Sequence, residues 1–161
     1  MQTNEEASRL RANAASLIIR NQLDLKQTLW IFSNFKIQST TPEELADNEF
    51  RELVGIYKRV KELLEQVIST VSTTSSAIAA SIYPSNSAAK ITAIINSIDI
   101  ENKLMEEVEQ QFQQFNDSSD DVNVRRSIII FVQDKINKAL TEITSNTLNQ
   151  LHLLLFGDGQ P

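Results

Sequence analysis

His152 is the chain's only imidazole, and no acid lies within one helical turn of it. Acid–base work by a histidine needs a partner that orients the ring, so His152 reads as a surface or bundle-end residue. Neighbouring carboxylates such as Glu106 and Glu107 resemble a solvated helix face more than an acid and a base held at different pKa values. "VRRS" at Val124 to Ser127 places two arginines near a predicted helix start, opposite Asp120 and Asp121; local ion pairs are expected there ahead of anion binding. Three glycines are too few for a loop that cradles phosphate. The Glu-x-x-His pairs of a di-iron bundle are missing. With one histidine and no cysteine, a zinc site is not expected. The expectation is a non-enzyme with no catalytic residue, no metal and no cofactor.

The elements behind these groups follow from composition. A chain of 161 residues suits one domain spanning 1–161. Only three glycines and three prolines occur, which favours few, long helices over sheets with frequent turns. The net charge of −6 argues against nucleic acid as a partner, because phosphate binding needs a basic face. No window approaches the roughly 18 apolar residues of a spanning helix. The absence of cysteine excludes a disulfide framework but leaves the compartment open. A cytoplasmic placement is favoured; a secreted one requires that a signal has been removed.

Caps and periods predict four helices, at about 4–35, 42–83, 88–116 and 121–156. Thr3 to Glu6 fits a capping box. "TPEE" at Thr41 to Glu44 combines a cap, a proline at the first helical position and a closing glutamate. Behind it a heptad seam runs through Phe50, Leu53, Tyr57, Val60, Leu64, Val67 and Val71. The Tyr57 hydroxyl should reach water or a partner at the seam edge, and Lys61 can pair weakly with Glu65. A third seam carries Ile91, Ile94, Ile98, Met105, Val108, Phe112 and Phe115, interrupted by Glu101. The fourth carries Ile129, Val132, Ile136 and Ile143, and Gly157 is a natural stop. The predicted fold class is all-α, an antiparallel up-down-up-down four-helix bundle. A long hairpin that dimerises into such a bundle is the alternative, so monomer and homodimer both stay open.

Ser69 to Ala89 holds no charge. Its apolar phase continues through Val71, Thr74 and Ile78, which says helix, and Pro84 then breaks it. Residues 84–87 are the predicted hairpin turn. A straight helix from Pro42 to Tyr83 would be about 63 Å long against about 45 Å for its neighbour. A bend or fraying near Ser72 to Ser76 would reconcile the two. The topology gathers Trp30, Phe32, Phe35, Phe50, Phe112, Phe115 and Phe131 towards one end, with an acidic rim. The other end is uncharged and carries "LHLLLF" at Leu151 to Phe156, too apolar for one core stripe.

These features suggest an interaction protein (adaptor, chaperone, effector or inhibitor) with a protein partner. Its candidate surface is Ile78, Ile82, Tyr83, Leu153, Leu154 and Phe156 at the uncharged end. One alternative is a membrane-interacting or pore-forming protein that uses the uncharged 67–89 hairpin, although hydroxyls are costly in hydrocarbon. Another is an extracytoplasmic sensor module of a receptor.

Overall fold

A computed structural model describes residues 4–79 and 87–156, all but a few of them helical. Four helices form the bundle: α1 (Asn4–Ser33), α2 (42–79), α3 (Ser87–Asp117) and α4 (122–156). Two of them contain one π-helical turn each, Ala46–Phe50 in α2 and Ile143–Thr147 in α4. The capping box at Thr3 and the stop at Gly157 lie outside the described residues, as does most of the predicted turn. Helix α2 runs unbroken from Arg51 to Ala79, through the serine and threonine run. Within it, Thr70 and Thr74 hydroxyls donate to the carbonyls of Gln66 and Thr70, one turn back.

The helix starts form where polar side chains replace missing backbone partners. Thr41 Oγ1 accepts from the Glu44 amide at 3.1 Å and donates to its carboxylate at 2.9 Å, with Pro42 needing no donor partner. Asp121 accepts from the amides of Asn123 and Val124 at 3.0 and 3.1 Å. Helix α1 stops at Ser33, two residues before the expected end; Ser33 and Asn34 side chains donate to the Trp30 carbonyl at 2.7 and 3.1 Å and satisfy it there.

Cross-helix pairs show the directions. Asn21 meets Thr70, Tyr57 meets Glu109, and Arg125 meets Phe115. Further down α2, Ile68 to Ser76 faces Ile95 to Asp99. Rising numbers on α2 therefore meet falling numbers on α3, so these two helices run in opposite directions. The seam residues Leu53, Tyr57, Val60, Leu64, Val67 and Val71 are buried in one contiguous core with Ile98, Met105, Val108, Ile129, Val132 and Ile136. Burying each large aliphatic side chain contributes about 1.5–3 kcal/mol.

Five phenylalanines cluster at the end holding the 34–41 and 118–121 connections. Phe50 stacks on Phe115 at 3.8 Å and meets Phe112 edge-on at 5.4 Å; Phe112 meets Tyr57 edge-on at 5.1 Å. Phe32 and Phe35 lie 5.8 Å apart. Trp30 and Phe131 lie towards the same end but outside its core: Trp30 is 70% exposed and Phe131 39%. Trp30 sits on the solvent side of α1, while Phe32 and Leu25 take the core positions.

Arg125 differs from its sequence expectation. It is buried and makes no ion pair among the described residues. Asp121 is committed to capping its own helix. Arg125 instead donates from Nε to the Phe115 carbonyl at 3.2 Å and from Nη1 to the Pro42 carbonyl at 2.7 Å, with its guanidinium 4.5 Å from the Phe115 ring centre. A planar fork with several donors can reach two carbonyls together, one in the last turn of α3 and one in the first turn of α2.

Candidate functional site

Helices α2 and α3 leave a groove along their outer seam. Its lower part, about 400 Å³, is lined by Ile68, Val71, Ser72, Ser75, Ser76, Ile95, Ile98 and Asp99. Small hydroxyl side chains on α2 fail to fill the space opposite Ile95. Val71 and Ile98 close the floor from the core, whereas Ile68 and Ile95 are 46% and 44% exposed. The lining is therefore mostly apolar, with one carboxylate at its rim.

The upper part is a smaller cleft of about 250 Å³, lined by Tyr57, Lys61, Glu65, Ile68, Asn102, Met105, Glu106 and Glu109. Ile68 lines both parts, so the two lie end to end along the same seam. Together they cover α2 from position 57 to 76, about 28 Å of helix. Tyr57 donates to Glu109 Oε1 at 2.6 Å, and Lys61 Nζ donates to the same oxygen at 3.1 Å. The expected Lys61–Glu65 pair is thus replaced by a bridge between helices. The bond from Tyr57, and then that from Lys61, hold the Glu109 carboxyl below its usual range. Burial first, then the hydrogen bond and charge of Glu109, push the Tyr57 phenol well above its ordinary value. Glu65, Asp99 and Glu106 are exposed and have no ion-pair partner among the described residues.

The residues expected to form an interaction surface separate. Ile78 and Leu154 are core residues, 8% and 5% exposed; each falls on the inward stripe of its helix and cannot offer a surface. Leu153 and Phe156 are 55% and 38% exposed, on a face of α4 that also carries Asn149, whose Oδ1 accepts from Gln22 of α1 at 2.8 Å. Ile82 and Tyr83 lie outside the described residues. The groove was not foreseen from the sequence. Its only signal there was the run of hydroxyl residues at Ser72 to Ser76, facing isoleucine-rich α3.

Other concavities have different character. A polar cleft of about 650 Å³ lies beside the 34–41 connection, where Lys36, Asp47, Arg51 and Glu52 mix both signs. It is underpinned by buried Glu49, whose Oε1 accepts from the amides of Gln38 and Ser39 at 2.8 and 3.0 Å. Burial alone would raise the Glu49 pKa, but these hydrogen bonds and the Ser39 side chain hold it below the ordinary value. A cleft of about 410 Å³ between α3 and α4 is bordered by Val124, Ile128 and Phe131 and carries no charged residue.

The groove's lining contains no histidine. Half-buried His152 has its ring 5.0 Å from that of Phe156. Among the described residues no three His, Cys, Asp or Glu side chains are grouped to hold a metal ion. No helix of the described residues is long and apolar enough to cross a membrane. Comparisons with protein-family models, with curated proteins and with solved structures find no match.

Proposed function

We propose that this protein is a non-enzymatic interaction module that docks a helical segment of another protein in the α2–α3 groove. One observation carries the reading: Ile68 and Ile95 stand half-exposed on facing helices above an apolar floor, with small serines leaving room between them. An amphipathic helix laid in such a groove would bury its apolar stripe at spacings of three and four residues. Clustered exposed apolar side chains in a groove mark contact surfaces more strongly than scattered ones do.

A photo-crosslinking residue placed at Ser72, within the groove, tests the reading in cells that express the protein. The control position is Glu107, exposed on α3 away from the groove. The expected result is a discrete protein adduct from position 72 that is lost when Ile68→Asp and Ile95→Asp are added, with none from position 107. Equal labelling from both positions, or none from either, would overturn the docking site.

A further inference from the structure

From the charge pattern along the groove we infer the chemistry of its occupant: an amphipathic helix that is apolar along one half and basic along the other, the basic half lying against Tyr57 to Glu65. The inference rests on the docking reading above. The lower groove is apolar, and its one charged residue is Asp99. The upper cleft holds Glu65, Glu106 and Glu109 against Lys61 alone. Along the whole groove that is four carboxylates (Asp99, Glu65, Glu106, Glu109) to one ammonium (Lys61).

Lys61 is already engaged. It donates to Glu109, which also accepts from Tyr57. Within the site this compensates Glu109 and leaves Asp99, Glu65 and Glu106 without a cation. An acidic segment would meet like charge there, in a chain whose net charge is already −6. A second copy of this chain would meet the same repulsion in the upper cleft. A basic segment would find uncompensated carboxylates beside the apolar floor that takes its leucines. Its length is bounded too: the groove spans α2 positions 57–76, so a helix of about 19 residues fills it.

Two designed 19-residue helical peptides decide the matter in fluorescence-anisotropy titrations against the full chain. Both carry leucine at helical spacing over one half. Their other half is lysine-rich in one peptide and glutamate-rich in the second. The lysine peptide should bind about tenfold or more tightly at low salt, as expected for two or three exposed charge pairs, and lose most of that margin in high salt. Glu65→Lys with Glu106→Lys should erase or invert the preference, while Ile68→Asp with Ile95→Asp should weaken both peptides. Circular dichroism of each variant verifies that the bundle persists. Equal binding of the two peptides, abolished by the isoleucine changes, would overturn the basic partner and leave the docking groove standing. Binding of neither peptide would overturn the groove itself.

Discussion

Replacing Glu101 with leucine should stabilise the protein, and the gain should grow with pH. Glu101 occupies a core position of α3 and is only 7% exposed, and its Oε2 has no hydrogen-bond partner among the described residues. Burial, and secondarily the Glu142 carboxylate on α4, raise its pKa from the ordinary 4.5. A raised folded-state value means that the native chain binds this proton more tightly than the unfolded chain does. The contribution to stability is therefore fully present below pH 4.5 and is lost as pH rises through the folded value. In either protonation state the native core holds a carboxyl oxygen with no hydrogen-bond partner among the described residues, which costs about 1–3 kcal/mol. Leucine has nearly the right volume and no polar atom, so Glu101→Leu should gain about that much at pH 7.5. For a chain of this length each kcal/mol moves the melting temperature by about 2–4 °C, so a gain of about 2 kcal/mol is a rise of about 4–8 °C. Thermal melts followed by circular dichroism at several pH values would measure it. Glu101→Gln is the companion variant: it should flatten this part of the pH dependence while leaving a polar group unpaired. A Glu101→Leu protein that melts no higher than wild type at pH 7.5, or gains equally at pH 4 and pH 8, would refute the reasoning.

Two further outcomes follow from buried polar groups. Arg125→Met should cost about 2–4 kcal/mol in urea denaturation, since it removes two charge-assisted hydrogen bonds that tie the last turn of α3 to the first turn of α2; Arg125→Lys should recover less than half, because one ammonium cannot reproduce the fork. Glu49→Gln should cost about 1–2 kcal/mol at pH 7. The Glu49 pKa is depressed, so its contribution is present above the ordinary 4.5 and lost as pH falls through the folded value; the difference between the two proteins should vanish in melts near pH 3.

The helices and most of their inward residues were readable from spacing, because core burial and helical period are the same fact seen twice. Leu53, Val60, Leu64 and Val67 needed no partner to be named as core. What stayed hidden depends on pairs of helices. Glu101 was visible as an interruption of the α3 seam, but only its neighbours show that it is buried there and not turned outward. Lys61 had an acid four residues ahead, and a better one, Glu109, lay 48 positions away across a seam whose register no single helix specifies. Arg125 sat near two aspartates, and Asp121 turned out to be occupied with its own helix start. The π-helical turns carry no composition signal; each inserts a residue into the helical ladder, which the spacing of apolar residues does not announce. The groove is an absence of volume between Ser72 to Ser76 and Ile95, and absent volume has no period.

The clamp made by Arg125 also has a bearing on how the chain comes into being. The carbonyl it reaches on Pro42 lies 83 positions earlier. At a synthesis rate of about 5–20 residues per second, the arginine that ties this carbonyl to α3 is made about 4–17 s later. Once residue 79 is made, α1 and α2 can pair with one another, but the aromatic end has no closure, because Phe50 also waits for Phe112 and Phe115. The half-made protein is a hairpin with one sealed side and one open end. Whatever shields nascent chains in its cell has those seconds in which to cover it.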